Sequence, residues 1–284
     1  MSTEDPRALL KSLEQRARRR FGQHFLTSSR HADRMVRGAR VGEGDRVLEV
    51  GPGLGILTSA LERASAQVTA IELDRDLAEF LREHHPSLRL VEGDALAVDW
   101  AEVAPGSGWK MVANLPYNVG THVLMRALRQ PERFTSVTVM LQLEVVQRLM
   151  AEPGTKAYNA LSVEAAVRGR PVFLMRLAPG AFHPPPKVHS AVVRFDLHPE
   201  PEVGPAGEAA FDRVVRASFA QRRKTIQNSL ATRYGRERAG AALAEAGIEP
   251  RLRAEVLPVD AFQRLAVALE GPSKSRSDRV EKRG

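Results

Sequence analysis

Short apolar runs alternate with amphipathic stretches along the first half of the chain. Runs rich in β-branched and other apolar residues predict strands at 46–50, 66–73, 88–93, 109–114 and 136–142. A segment with the apolar spacing of a helix follows each of them. Alternation of this kind predicts a parallel, doubly wound sheet covered by helices.

Two later apolar runs, 171–177 and 190–197, are separated by only 12 residues, too few for a crossover helix. We therefore expect them to pair antiparallel at the sheet edge, as the sixth and seventh strands. Residues 198–208 are rich in Pro, Gly and Glu and predict a domain boundary. The pattern beyond it is helical, so the predicted fold class is α/β: a Rossmann-like sheet of seven mostly parallel strands, followed by a small all-α domain.

Composition and charge narrow the classes of function. The 284 residues include 42 Lys and Arg against 34 Asp and Glu, a net charge of +8, which favours nucleic acid as a partner. The sequence contains neither the ~20 consecutive apolar residues of a membrane span nor an apolar signal core, so we expect a cytoplasmic protein with no membrane partner. The absence of Cys excludes disulfides and thiolate nucleophiles. The eight histidines lack metal-ligand spacing; we expect no metal, and we expect His84 and His85 at the surface.

A glycine-rich turn after the first predicted strand is the first candidate site. Gly51, Gly53 and Gly55 have the spacing Gly-x-Gly-x-Gly, which differs from the Gly-x-Gly-x-x-Gly of dinucleotide sites. Glu72 ends the second strand, where a carboxylate can accept both hydroxyls of a ribose, and Asp94 follows the third, where it can accept from an adenine amino group. Because the three strand ends meet at one crevice, the combination predicts S-adenosylmethionine as the cofactor.

The fourth strand ends in the run Asn114, Leu115, Pro116, Tyr117. The lone pair of an aromatic amine is conjugated with its ring, so a methylating site must draw the nitrogen toward tetrahedral geometry. The Asn114 amide oxygen, together with the backbone carbonyl of Leu115 or Pro116, can accept the two N–H groups of such an amine. Tyr117 can stack on the base.

Several motifs together resemble the KsgA-type adenine N6,N6-dimethyltransferases of small-subunit ribosomal RNA, over residues 19 to 265. The matching segments are RRFGQHFL (19–26), EVGPGLGILT (49–58), IELDRDL (71–77), GDAL (93–96), NLPYN (114–118), LQLEVVQRL (141–149), FHPPPKVHSAVVR (182–194) and QRRKTIQNSL (221–230).

The resemblance implies roles for individual residues. Cofactor contacts are implied for His24, Leu26, Gly51, Gly53, Glu72, Asp94 and Asn114. His24 departs from the family pattern, which usually has Asn at this position; imidazole retains one hydrogen bond. The resemblance also implies that Phe182 holds the target adenine against Tyr117, with burial beneath its loop as the alternative.

Three adjacent cations, Arg222, Arg223 and Lys224, begin a predicted helix and are interpreted as an RNA phosphate clamp, with a solvated charged face as the alternative.

The predicted organisation has four parts: a basic arm (1–20), a catalytic domain that binds S-adenosylmethionine (21–198), a helical RNA-binding domain (199–270) and a disordered tail (271–284). The resemblance implies dimethylation of two adjacent adenosines in the 3′-terminal hairpin of 16S ribosomal RNA, within the small subunit or its precursor, by a monomer. Two alternatives stay open: a 23S ribosomal RNA methylase of the macrolide-resistance type, and an assembly factor whose binding role dominates.

Overall fold

The computed structural model describes residues 24–221 and 223–272. The predicted basic arm, Arg222 and most of the predicted tail lie outside these residues. The strands are β1 (Phe25–Leu26), β2 (Arg46–Val50), β3 (Gln67–Glu72), β4 (Arg89–Glu92), β5 (Trp109–Asn114), β6 (Phe134–Gln142), β7 (Gly169–Leu177), β8 (Phe182–His183) and β9 (Ser190–Leu197). The α-helices are α1 (Ser29–Gly38), α2 (Ile56–Arg63), α3 (Arg75–His84), α4 (Trp100–Val103), α5 (Gly120–Leu128), α6 (Leu143–Leu149), α7 (Ala160–Ala166), α8 (Glu208–Phe219), α9 (Ile226–Tyr234), α10 (Arg236–Glu245) and α11 (Val259–Glu270).

Seven strands form the main sheet in the order β4-β3-β2-β5-β6-β9-β7. The five strands from β2 to β6 are parallel, whereas β9 pairs antiparallel with both β6 and β7. The predicted fold class and the antiparallel edge pair are therefore confirmed. Strand order reverses between β2 and β5, and a crevice forms outside the carboxyl ends of parallel strands at such a point.

A second, two-stranded sheet joins distant parts of the chain. β1 pairs antiparallel with β8, with Phe25 opposite His183 and Leu26 opposite Phe182. The backbone N–H and side-chain hydroxyl of Thr27 extend this pairing by donating to the Ala181 carbonyl. The segment before α1 is thereby held beside the Pro-rich loop that precedes β9.

The chain divides into two compact units, each with its own hydrophobic core. The sheet unit comprises residues up to Val146 together with Gly169–Pro199, and the helical unit comprises Gln147–Arg168 with the residues from Glu200 onward.

The segment Gln147–Arg168 falls within the predicted domain 21–198, whereas in the structure this segment is part of the helical unit. Its side chains Tyr158, Val163 and Val167 are buried in the core of the helical unit. The fully buried Arg168 guanidinium pairs there with Glu208 and Asp212. A charge removed from water in this way requires its partners, so this segment belongs with the helices. The functional assignments of the predicted domains stay predictions.

Candidate active site

A pocket lies at the carboxyl ends of β2, β3 and β5, in the crevice that the strand order creates. It is lined by His24, Phe25, Leu26, Glu49, Gly51, Pro52, Gly53, Leu54, Ile56, Leu57, Glu72, Asn114, Leu115, Pro116 and Tyr117. The sheet thus brings together most of the predicted site residues of this unit, whereas Asp94 and Phe182 are not among the lining residues.

Three glycines shape the turn between β2 and α2. Gly51, Gly53 and Gly55 have φ angles of 68°, 59° and 74°, in the left-handed region that favours glycine. A Cβ on Gly53 would lie 2.9 Å from the Phe25 ring, and one on Gly55 would lie 2.2 Å from His85 Nε2. Backbone conformation therefore disfavours a side chain at all three positions, and close neighbours also disfavour one at Gly53 and Gly55. The main chain itself lines the pocket at Gly51 and Gly53.

The Glu72 carboxylate holds this turn in place. It is 4% exposed. One of its oxygens accepts a hydrogen bond from the Gly53 N–H at 3.1 Å, and the other accepts from the N–H groups of Leu73 and Asp74 at 2.9 and 3.0 Å. Burial raises the pKa of Glu72, although the three N–H donors oppose that rise. Glu72 therefore links the glycine turn to the end of β3.

Glu49 is a second acidic residue of the pocket, which the sequence analysis did not select. It is the penultimate residue of β2, is 1% exposed, and accepts a hydrogen bond from the Thr58 hydroxyl at 2.7 Å. Burial, together with the nearby charges of Glu72 and Glu62, raises the pKa of Glu49 to about 8. The signal was present in the sequence, because a carboxylate between the apolar residues Leu48 and Val50 of a predicted central strand is costly unless it has a partner or a ligand.

The loop after β5 presents acceptors to the same pocket. The Asn114 amide nitrogen donates to the His24 carbonyl at 3.2 Å, which directs the amide oxygen away from that contact. The Pro116 carbonyl already accepts from the backbone N–H groups of Val119 and Gly120. A carbonyl oxygen has two lone pairs, so the geometry favours Leu115 over Pro116 as the second acceptor for an amine.

The rings of Tyr117 and His24 are neighbours in the lining of the pocket. Their ring centroids are 5.2 Å apart with a 37° angle between the planes. The Tyr117 hydroxyl shares a hydrogen bond with Ser190 of β9, and burial raises its pKa, so the phenol is neutral at physiological pH. His24 Nδ1 contacts the Pro184 carbonyl at 2.7 Å, which connects the pocket to the Pro-rich loop.

Two predicted site residues lie elsewhere in the sheet unit. Asp94 is exposed, and its carboxylate accepts from the Leu96 N–H within the turn after β4. Phe182 is 3% exposed and packs in the hydrophobic core that also contains Leu26 and Val192. Its ring would have to leave these contacts to stack on a base, so the predicted clamp against Tyr117 stays a prediction.

The predicted basic run lies in the helical unit. Arg223 and Lys224 are exposed, while Arg222 lies outside the described residues. The run precedes α9 and is not part of it: Thr225 is the N-cap residue, and its side-chain oxygen accepts from the Asn228 N–H. The phosphate clamp stays a prediction.

The expectation that both His84 and His85 lie at the surface is wrong for His85. His84 is exposed and stacks on Phe80. His85 is only 8% exposed, since its ring packs against Gly55 and its Nδ1 contacts the Glu62 carboxylate at 2.8 Å. The glycine turn provides the space for the ring.

The chain is similar to proteins of one family over most of its length. The family model described as ribosomal RNA adenine dimethylase matches residues 14–270. A relative from Syntrophotalea carbinolica, named "Ribosomal RNA small subunit methyltransferase A", is 41% identical over 260 residues, which cover 91% of this chain and 98% of the relative.

Solved structures show the same architecture. The crystal structure of the 23S rRNA methyltransferase ErmE matches with a TM-score of 0.65 and 29% identity, covering 86% of this chain and 99% of that one. A dimethyladenosine transferase from Plasmodium falciparum matches with a TM-score of 0.72 and 21% identity, covering 85% and 96%, and supports the fold alone. The resemblance found in the sequence motifs is confirmed: this chain belongs to the ribosomal RNA adenine dimethylase family.

Proposed function

We propose that this protein transfers methyl groups from S-adenosylmethionine to N6 of two adjacent adenosines in the 3′-terminal hairpin of 16S ribosomal RNA, dimethylating each during small-subunit biogenesis. The observation that carries the proposal is one pocket that holds both the Gly51–Gly53 turn with Glu72 and the Asn114–Tyr117 loop. The first set suits a cofactor and the second suits an aromatic amine.

The residues of the pocket fit a ligand of this chemistry. Glu49 and Glu72 place two carboxylates, 1% and 4% exposed, in a pocket where the described residues supply no Lys or Arg side chain. A ligand with cationic groups and ribose hydroxyls would complement such a lining. When bound, S-adenosylmethionine supplies an electrophilic methyl group on a sulfonium sulfur.

The Asn114 loop would position the nucleophile. The Asn114 amide oxygen and the Leu115 carbonyl would each accept one N–H of adenine N6, which would draw the nitrogen toward tetrahedral geometry and orient it for attack. N6 becomes acidic only after the N–C bond has formed, so its proton can leave to water without a strong base. The raised pKa of Tyr117 agrees with a stacking role rather than a basic one.

RNA would be held outside the pocket. Arg222, Arg223 and Lys224 would contact phosphates, as predicted, and Phe182 and Tyr117 would hold the base. No helix in the described part of the chain is long and apolar enough to cross a membrane. Action on the small subunit or its precursor, in the cytoplasm and as a monomer, completes the proposal.

The alternative function, methylation of 23S ribosomal RNA, has less support from sequence identity. The structure of a 23S enzyme is 29% identical to this chain, whereas the relative named for the small subunit is 41% identical over 91% of it.

Methyl transfer from labelled S-adenosylmethionine tests the proposal. Small subunits, large subunits and naked RNA, all from an unmethylated source, are incubated with the enzyme and with Asn114→Ala, and their nucleosides are then separated. We expect N6,N6-dimethyladenosine at two adjacent positions of 16S RNA with the wild type and none with the variant. Label in large subunits, or no label with a folded wild-type protein, would overturn the proposal.

A further inference from the structure

Helix α1 has two opposite faces of different chemistry. Ala32, Met35 and Val36 are buried on one face, with exposures of 0%, 0% and 4%. On the opposite face Arg30, Arg34 and Arg37 are all exposed. At 3.6 residues per turn these three arginines lie within about 60° of one another around the axis and at intervals of about 6 and 4.5 Å along it. We call them the arginine face.

The arginine face has no partner within the described residues: Arg30, Arg34 and Arg37 make no ion pair or side-chain hydrogen bond there. The acidic residue nearest in sequence, Asp33, pairs with Arg63 of α2 at 2.5 Å. Within the part of the chain that the structure describes, three positive charges on one side of a single short helix are thus left without an ion-pair partner.

Two features of this arrangement cost the helix stability, although Arg37 in the last turn interacts favourably with the helix dipole. Like charges three and four residues apart repel one another. Arg30 stands in the first turn, where the helix dipole disfavours a cation, and that turn contains no acidic residue. A polyanion bound across the face would remove both costs.

The helix is also held rigidly beside the pocket. Arg194 of β9 donates to the Gly38 carbonyl at 2.7 Å, and the Lys110 ammonium donates to the Arg40 carbonyl at 2.5 Å, so the carboxyl end of α1 is fixed to the sheet. At its other end, only Thr27 and Ser28 separate α1 from β1, whose two residues line the pocket. Both ends of α1 are therefore tied to elements that position the pocket.

We propose that the arginine face of α1 is a contact surface for the phosphate backbone of the ribosomal RNA, adjoining the target nucleotide and separate from the run at 222–224. The proposal rests on the proposed function, because it names a second surface for the same substrate. Guanidinium groups fixed at regular spacing suit phosphates, which they bind through two parallel hydrogen bonds. Each such contact releases counterions, so it contributes to the salt dependence of binding.

The test compares two triple variants that remove the same charge. Arg30, Arg34 and Arg37 are changed together to Gln, which keeps a good helix former at each position. The control changes Arg46, Arg82 and Arg89 of the sheet unit to Gln. Arg82 is already paired with the Glu92 carboxylate, and Arg46 and Arg89 donate to backbone carbonyls of Ser107 and Val103. Thermal unfolding confirms that both variants are folded.

Binding to naked 16S RNA and to unmethylated small subunits is then measured against salt concentration. With about 0.7–0.9 units of log–log slope per phosphate contact, the α1 variant should lose roughly two to three units of slope on both substrates, and the control less than one. Equal slopes for wild type and the α1 variant would overturn the proposal. So would a loss of affinity for subunits alone with an unchanged slope, which would assign the face to a ribosomal protein.

Labelled methyl transfer separates this proposal from the proposed function. At low salt and saturating RNA we expect the α1 variant still to form dimethyladenosine, because it retains the pocket, but to need a higher RNA concentration than the wild type for its half-maximal rate. A wild-type enzyme that methylates 16S RNA while the α1 variant binds with an unaltered salt slope would refute the arginine face alone. A wild-type enzyme that fails to methylate would refute the proposed function, whatever the slopes.

Discussion

The protonation state of Glu49 predicts that cofactor binding depends on pH. Glu49 is 1% exposed, lines the pocket, and has a pKa raised to about 8, first by burial and then by the charges of Glu72 and Glu62. At pH 7 most molecules therefore carry a proton on this carboxyl group. A cationic ligand stabilises the ionised carboxylate, so the cofactor and this proton compete.

The size of the effect follows from that pKa. If the ligand lowers the pKa of Glu49 below about 6, binding at pH 7 releases close to one proton, and the affinity rises by up to tenfold per pH unit until the pH reaches about 8. Glu49→Gln removes the titrating group while keeping its shape and a hydrogen-bond acceptor for Thr58. The variant should bind with an affinity that lacks this component of the pH dependence.

Isothermal titration calorimetry with S-adenosylmethionine measures the released proton directly. The apparent binding enthalpy is plotted against the ionisation enthalpy of several buffers at pH 7, and the slope is the number of protons exchanged. The α-amino group of the ligand titrates in the same range, so the informative quantity is the difference between wild type and Glu49→Gln. We expect a difference close to one proton; identical slopes would refute the assigned protonation state.

The same carboxyl group predicts how the stability of the ligand-free protein changes with pH. Its pKa in the folded state, about 8, lies above the ordinary value of 4.5, so between these values the folded protein holds more protons than the unfolded chain. The free energy of unfolding should therefore fall as the pH rises through this window. Glu49→Gln should flatten that fall, and chemical denaturation of both proteins at pH 5 and pH 8 would check it.

Three further predictions concern Asn114, Phe182 and Arg126. Asn114→Ala should abolish methyl transfer while RNA affinity stays within a few fold, because it removes one acceptor for the amine and no phosphate contact; a collapse of binding by a folded variant would make it a docking residue. Phe182→Ala should lower the free energy of unfolding by about 3–5 kcal/mol through the cavity that it leaves, and Phe182→Leu should lower it less. If the ring clamps the base, Phe182→Leu should also accumulate N6-monomethyladenosine. An unchanged ratio of monomethyl to dimethyl product with Phe182→Leu would show that the ring serves only the core. Arg126→Ala should weaken cofactor binding, because the Arg126 guanidinium donates to the Ala95 and Val98 carbonyls, both at 2.7 Å, and so holds the turn that carries Asp94. The matched control is Arg133→Ala, which loses a similar contact to the Ala104 carbonyl away from that turn. Equal cofactor affinities of the two variants in calorimetry would contradict this role of Arg126.

Local sequence patterns were sufficient to predict the sheet and the pocket, but they could not predict which distant segments pair with each other. The strands and the Gly51–Gly55 turn have strong short-range signals, so the crevice and most of its lining residues could be predicted. Asp94, which was predicted to face the crevice from the end of β4, does not line the pocket. The pairing of β1 with β8 joins two-residue strands more than 150 residues apart, and nothing in either segment indicates the other. Burial of His85 likewise depends on the space that Gly55 leaves across the fold.

The segment Gln147–Arg168 eluded prediction for a related reason. It precedes β7 along the chain, so sequence order placed it with the sheet, while its apolar side chains complete a core built from residues after Glu200. Membership in a core is decided by which surfaces become buried together, and a helix as short as α7 does not identify its neighbours from its own sequence.

Because the helical unit is assembled from two stretches of chain, it cannot be prepared as a simple C-terminal fragment. A truncation after Pro199 would leave Tyr158, Val163 and Val167 without the core that buries them, and Arg168 without Glu208 and Asp212. The fragment from Glu200 onward would lack the same contacts from the other side. During synthesis, Gln147–Arg168 leaves the ribosome well before α11, the last helix of that core. The unit therefore completes its core only after α11 has been synthesised, and a chain that stops before α11 would leave the apolar side chains of that core exposed.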